Sequence, residues 1–391
     1  MIFNRNKFIP YGKQNITFGD VKEVVRTLKS DLITQGPKVE EFERDLSKKV
    51  GSLFSIACNS ATSALHLSCL ALDLKPGDAV WTSPISFVAS ANCAIYCGAK
   101  IDFIDINPDT GLMDENLLEE KLKIASKNDS LPKIIIPVHL AGTSCNMEKI
   151  YNLSKEFGFF IIEDASHALG GKYKNINVGE CKFSDITIFS FHPVKIITTA
   201  EGGIATTNNK KIAEEIYKLR SHGITKDRNK FTYKNEGDWH YEQTCLGFNY
   251  RLNDIQAALG KNQLKRLDKI VVERNQILKF YKLISKDLPI SFLKIPKDVY
   301  SAVHLGIIKF NDFNPEKHKS IFAKMRNNGV GVQLHYSPIH LQPFYREFGF
   351  SPGDFPNSEK YSKNSFSIPV FPGLRKRNQI RIISFLKDTL I

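Results

Sequence analysis

The sequence predicts an α/β fold: a doubly wound, mostly parallel sheet followed by a smaller C-terminal α/β domain. Three observations carry this. Short apolar, β-rich runs alternate with helical patterns through the first part of the chain. The alternation gives way after about residue 252 to a long helical stretch. The 391 residues are enough for roughly two domains. The expected division is residues 1–252 for the large unit and 253–391 for a connecting helix and small domain.

The elements follow in order. "SIAC" (Ser55–Cys58) precedes the helix-like "TSALHLSCLALDL". "DAVWTS" precedes "SFVASANCAIYCG", and "AKIDFIDI" follows. "KIIIPVHL" precedes "NMEKIYNLSKEFG"; "FFIIEDAS" and "DITIFSF" are two more strands. Ligands of such sheets bind at the carboxyl ends of the strands. That predicts Asp164, His139 and the loop holding Lys195 near a common edge. "NDIQAALGKNQLKRLDKIVVERNQILKFYKLIS" reads as one long amphipathic helix with Asn253 as its N-cap. Beyond it come "AVHLGIIKF", a helix near "PEKHKSIFAKMRNNG" with Gly329 at its C-terminal cap, "VGVQLHY", "FSIPV" and a terminal helix. There are no internal repeats or low-complexity segments.

Composition narrows the function. Hydrophobic residues are 42% and charged ones 24%, an ordinary globular balance. Nothing approaches the roughly 20-residue apolar run of a membrane span. The start, "MIFNRNKFIPYGKQ", reads as no secretory signal. Seven scattered cysteines (Cys58, Cys69, Cys93, Cys97, Cys145, Cys181, Cys245) without C-x-x-C argue for a reducing cytoplasm. Cys93 and Cys97, four apart on an apolar helix with no His or Asp alongside, read as core; no metal site is expected. The net charge of +13 suits an anionic small molecule. Its lysines are dispersed, with no basic helix, zinc-finger spacing or aromatic RNA-binding motif, which argues against nucleic acid.

Three stretches carry chemistry. In "NSATSALHL" (Asn59–Leu67) small and hydroxyl residues end a strand and open a helix. Free N–H groups at a helix start make an anion site, so Ser60, Ala61 and Thr62 are candidates to cup a phosphate. A simply capped helix is the alternative. In "IIEDASHALGG" Asp164 follows two isoleucines at a strand end, where a carboxylate lies low in a cleft and needs a cationic partner. A helix N-cap is the alternative for Asp164, and a structural histidine for His167. "FSFHPVKIITTAEGG" (Phe189–Gly203) holds one lysine, Lys195, just past a strand; an ordinary solvated lysine is its alternative. A Schiff-base lysine, a carboxylate for a ring nitrogen and a phosphate cup are together the needs of pyridoxal phosphate (PLP). Phe87, at another strand-to-helix turn, is placed to stack on the ring or to fill core.

With these stretches, the chain resembles the DegT-type sugar-nucleotide aminotransferases over about residues 8–390. The matching segments include "ITQGPKVEEFE", "NSATSALH", "SPISFVASAN", "EDASHALGG", "SFHPVKIITTAEGG", "LRSHGI", "LGFNYRLNDIQAALG" and "VQLHYSPIH". "YGKQ", "PISFVA", "SHALG" and "ITTAEGG" look most like the pseudaminic-acid-pathway enzymes of that family. Those aminate carbon 4 of a UDP-linked 4-keto-6-deoxy-N-acetylhexosamine. The resemblance implies the PLP-dependent transferase fold type I, with residues 1–252 as the cofactor-binding domain carrying an N-terminal substrate segment.

It also implies roles. Lys195 falls on the lysine that holds the cofactor and shuttles the proton. Asp164 falls on the partner of the pyridinium nitrogen, and His167 on the residue near the phenolic oxygen. Ala61, Thr62 and Ser190 fall at the phosphate. Asn249, in "GFNYR", falls on a phosphate contact supplied by a neighbouring subunit, which implies a homodimer with shared sites. Tyr11, the stretch Asp31, Leu32, Ile33 and Thr34, and Gln333, Leu334, His335 and Tyr336 fall on substrate-contacting segments. Arg251 faces the substrate or forms a structural ion pair; His192 reads as structural. The implied donor is L-glutamate, which displaces Lys195 and leaves its nitrogen on the cofactor for the keto sugar. The competing readings are an aminotransferase for another sugar or for carbon 3, and a non-catalytic regulator on this fold. The related sugar dehydrases carry histidine in place of the lysine, so Lys195 argues against them.

Overall fold

A computed structural model describes residues 8–233, 236–311 and 314–390. The chain opens with two helices, α1 (Phe18–Leu28) and α2 (Pro37–Val50). Thr17 and Asp20 close a capping box on α1, and Pro37 occupies the first turn of α2. Five strands and their helices follow: β1 (Phe54–Cys58), α3 (Ala61–Ala71), β2 (Ala79–Thr82), α4 (Ala89–Tyr96), β3 (Lys100–Phe103), α5 (Glu115–Lys127), β4 (Ile134–Ile136), α6 (Met147–Phe157) and β5 (Phe160–Asp164). A short hairpin, β6 (Lys172–Tyr173) and β7 (Ile176–Asn177), leads to β8 (Ile186–Ser190), β9 (Gly203–Thr207) and α7 (Lys210–Arg220).

The main sheet runs β1-β9-β8-β5-β4-β2-β3. β9 alone is antiparallel, to β1 on one side and β8 on the other. It is "GIATT", a strand the sequence reading passed over as the sequel of a tight turn. The fold is thus α/β with a mostly parallel sheet, as the alternation predicted. Strand parity divides the core. Ile134 and Ile136 join α3, α4 and α7, while Ile135 joins α5 and α6, and all three isoleucines are fully buried. Burying each contributes about 1.5–3 kcal/mol.

The predicted single helix after Asn253 is two helices, α8 (Asp254–Leu264) and α9 (Leu267–Ile284). Asn253 does cap the first, in a box with Gln256. The break comes from tertiary contacts. Gln263 and Arg266 reach back to Asn15 and Asp20, holding α8 against α1, while α9 departs toward the C-terminal helix Lys376–Leu390. A three-stranded antiparallel sheet (Ile290–Phe292, Gly306–Phe310, Ser365–Ile368) and the helix α10 (Pro315–Asn327) complete the small unit. Gly329 follows α10 with φ +78°, the left-handed conformation expected of it. The N-terminal segment lies along this unit: Ile9 exchanges backbone bonds with Gly329 and Gly331, and Val370 N–H donates to Tyr11 O.

Candidate active site

One cavity of about 520 Å³ gathers most of the predicted residues. Its walls include Tyr11, Ser60, Ala61, Thr62, Phe87, Asp164, His167, Ser190, Lys195, Gln333, Leu334, His335 and Tyr336. They come from the carboxyl ends of β1, β5 and β8, the N-terminal segment and the small unit. Asn249, Arg251 and Asp31, Leu32, Ile33 and Thr34 lie outside it. Asn249 is exposed and bridges Ser221; Arg251 bridges Cys58; Leu32 and Ile33 are about half exposed.

His139 departs from expectation. It sits at the end of β4 but on the far side from the cavity, fully buried, with Nε2 2.6 Å from Glu163. Glu163 and Asp164 are consecutive on β5, so their side chains take opposite faces.

Lys195 sits on a loop closed at its base by Phe191 N–H to Gly202 O and tightened by Lys195 N–H to His192 O. Its amine pKa is pushed down to about 8, by burial first, with the Asp164 charge resisting. A buried amine that sheds its proton near neutrality is a nucleophile and a base in turn, which an ordinary solvated lysine is not. Asp164 is 5% exposed and accepts from Ser90 Oγ (2.6 Å) and Ser166 N–H (3.1 Å). Ser86 backs Ser90 at 2.7 Å. No helix follows Asp164, which removes the N-cap alternative.

His167 Nε2 pairs with Tyr336 Oη at 3.1 Å, and its ring packs 4.4 Å from that of His304. Burial, and next the Lys195 charge, holds His167 well below its ordinary pKa. The same two causes push His335 down to about 3. These imidazoles are neutral, so the ionisable groups left to charge the cavity wall are Lys195, Asp164 and Glu201. At the other end Ser60 caps α3 by accepting from Ser63 N–H. The first N–H groups of a helix have no partner within it, and those of Ala61 and Thr62 stand at this wall. Gly203 makes the junction: a Cβ there would lie 2.3 Å from Ala61 N. The "EGG" turn thus seats β9, and with it the lysine loop, directly on the helix start.

Ser90, His304 and Glu201 also belong to this site and went unnamed in the sequence reading. Ser86 and Ser90, four apart on a helical run, were a legible signal. A lone histidine before a strand gave none.

The profile of the DegT/DnrJ/EryC1/StrS aminotransferase family matches residues 15–387. The chain belongs to this family. It is 40% identical over 384 residues to the UDP-4-amino-4,6-dideoxy-N-acetyl-beta-L-altrosamine transaminase of Campylobacter jejuni serotype O:23/36, covering 98% of this chain and 96% of that one. Spore coat polysaccharide biosynthesis protein SpsC of Bacillus subtilis is 34% identical over 394 residues, covering 99% and 98%. Among solved structures, Helicobacter pylori PseC, an aminotransferase involved in the biosynthesis of pseudoaminic acid, superposes with TM-score 0.89 at 32% identity, covering 98% and 99%. Streptococcus pneumoniae Spr1654 in its PMP-form superposes with TM-score 0.89 at 31% identity, covering 97% and 98%. The chain is therefore a sugar aminotransferase of PLP fold type I and uses pyridoxal phosphate.

The residues fit that cofactor. Asp164 is a buried carboxylate with neutral hydrogen-bond donors and no ion-pair partner among the described residues. Such an anion calls for a cation, which a protonated pyridine nitrogen is. His167 Nδ1 is buried without a hydrogen-bond partner among the described residues. The helix start at Ala61 and Thr62, with Ser190, matches a phosphate.

Proposed function

We propose that this enzyme transfers an amino group from L-glutamate to carbon 4 of a UDP-linked 4-keto-6-deoxy-N-acetylhexosamine, in the pseudaminic acid pathway. The observation that carries the chemistry is Lys195, a buried amine depressed to about 8 in one cavity with Asp164. The sugar assignment rests on relatives of that name and on Tyr11 and Gln333–Tyr336, which line the cavity from the N-terminal segment and the small unit. The cofactor, when bound, supplies an aldehyde for amine condensation and an electron-withdrawing ring. Lys195 holds it between turnovers, yields to the incoming amine, and then carries the proton to and from the reacting carbon. Asp164 keeps the ring nitrogen charged. His167 pairs with Tyr336, and the imidazoles, held far below their ordinary range, are weak bases beside Lys195.

The test is incubation with a panel of UDP-4-keto and UDP-3-keto sugars and L-glutamate, with product mass and NMR. Amination at carbon 4 of the 4-keto-6-deoxy-N-acetylhexosamine is expected. Preference for another sugar or for carbon 3 sinks the substrate assignment and leaves the family chemistry intact.

The enzyme is proposed to act in the cytoplasm as a homodimer with shared sites. No helix among the described residues is long and apolar enough to cross a membrane. The exposure of Asn249, outside its own chain's cavity, supports its service to a neighbour. Mixing Lys195→Ala with Asn249→Ala subunits after mild dissociation decides this. Shared sites give a heterodimer with one intact site, so activity returns; unshared sites give none. Native mass spectrometry must show the heterodimer, and the Asn249→Ala parent must itself be strongly impaired.

A further inference from the structure

Helix α9 carries an arginine that the chemistry above leaves unused. Arg274 is 1% exposed, and no carboxylate bonds it among the described residues. Its Nη1 donates to three backbone carbonyls, Val303 O (3.4 Å), His304 O (3.3 Å) and Val370 O (3.0 Å), and its Nε finds no acceptor among the described residues. A buried guanidinium with only neutral acceptors is costly to desolvate. An apolar chain of similar volume would pack as well, so packing alone does not account for it.

The three carbonyls share a location. Val303 has φ +50°, a region that β-branched residues rarely enter. It is pinned on every side: its N–H donates to Ser301 Oγ at 3.1 Å, its carbonyl accepts from Arg274, and the next N–H, of His304, donates to Ala141 O at 2.8 Å. Gly142 presses on the same turn; a Cβ there would lie 2.9 Å from Val303 N and 2.8 Å from His167 O. This pinned turn aims the His304 ring at His167, whose Nε2 meets Tyr336. The third carbonyl belongs to Val370, whose N–H donates to Tyr11 O at 3.0 Å. Tyr11 in turn packs its ring 5.1 Å from that of His335. One guanidinium therefore ties together two cavity walls that arrive from different parts of the chain.

We infer that Arg274 is a positioning residue for transamination: by clamping Val303, His304 and Val370 it sets the His304–His167 wall and the Tyr11 wall about Lys195. The inference rests on the aminotransferase chemistry and is independent of which keto sugar is used.

The test compares Arg274→Met and Arg274→Lys with Ile101→Val, a core change in β3, at the edge of the main sheet and in a different core from Val303 and Val370. Three readings are taken: the single-turnover rate at saturating L-glutamate from bleaching of the cofactor band, the cofactor dissociation constant of the apo-protein, and the histidine ring NMR signals of the apo-protein. Displaced walls should slow Arg274→Met on the order of 10²-fold, since an ångström of misplacement costs about that much. Its cofactor affinity should fall and the His167 and His304 signals should move. Arg274→Lys, which keeps the charge but fewer bonds, should recover part of each. Ile101→Val should lower Tm and shift none of the three. If folded Arg274 variants match wild type in all three readings, the arginine is merely structural and the inference fails. Should Arg274→Met not fold, the same readings on Arg274→Lys decide the matter. A wild type that ignores L-glutamate would refute the donor assignment, and the affinity and NMR readings would still judge Arg274.

Discussion

Glu163 and Asp164 stand next to each other on β5, each 5% exposed, and face opposite sides of the sheet. Below the cavity, Glu163 is saturated. It accepts from Thr187 Oγ1 (2.9 Å) and Ser184 Oγ, and pairs with His139 Nε2 at 2.6 Å. Burial raises its pKa, yet the His139 bond and charge and the two hydroxyl bonds outweigh burial and leave it lowered. On the cavity side Asp164 has a hydroxyl and an amide and, among the described residues, no ion-pair partner. The two carboxylates differ in completeness, not in burial. A buried anion whose partners are all inside the fold belongs to the architecture. One left short of a cation marks where a ligand brings it.

The comparison is open to attack, and the largest effect comes first. Lys195→Ala should abolish transamination while leaving a folded protein that still binds pyridoxamine phosphate. Turnover of the keto sugar near the wild-type rate would remove Lys195 from the mechanism. Asp164→Asn comes next. An amide cannot hold the ring nitrogen protonated, and losing a buried charge partner costs about 3–5 kcal/mol, or roughly two to nearly four orders of magnitude in rate. Turnover and the cofactor spectrum should be read together; if both stay normal, Asp164 is as structural as its neighbour.

Glu163→Gln should do the reverse, with activity per folded molecule close to wild type and stability down by about 1.5–3 kcal/mol, read from urea midpoints. The pH dependence sharpens it. For His139, burial lowers the pKa, but the Cys145 and Glu163 contacts outweigh it and hold it above 6.5. A raised folded value means that its share of stability is full below about pH 6.5 and declines as the pH climbs past that point. Wild type should show this alkaline decline and Glu163→Gln a weaker one, since only the Glu163 part of the shift is removed. Equal slopes in the two proteins would mean that the pair does not titrate as described.

What the sequence disclosed follows from the same distinction. Lys195, Asp164 and the Ser60–Thr62 turn each lie where a strand ends, and a strand end is legible in a short run of residues. The saturated Glu163–His139 pair was not, because β4 and β5 must first be laid side by side. His139 looked like a site residue until strand parity turned it away. The break between α8 and α9 depends on Asn15 and Asp20, far back in the chain, so the helical periodicity gave no warning of it. "GIATT" escaped notice since Ile204 is its one bulky apolar side chain, and Gly203 lacks a side chain because Ala61 occupies the space. His304 owes its place to a strained valine and a buried arginine, neither of which leaves a local signature.

The antiparallel β9 has a consequence for the order in which the enzyme is built. β1 is an edge strand whose one neighbour in the sheet is β9, and Phe54 pairs with Thr207. Asn59 N–H, on the threshold of the phosphate cup, donates to Tyr250 O. Closing such distant pairs is slow and must wait for both ends of the chain. During synthesis the early β1 segment emerges without its neighbours, while β2 to β5 are still being made. The cup therefore cannot assemble before the lysine loop exists. A nascent or truncated chain ending short of about residue 207 would have the Asp164 floor of the site and no place to seat a phosphate.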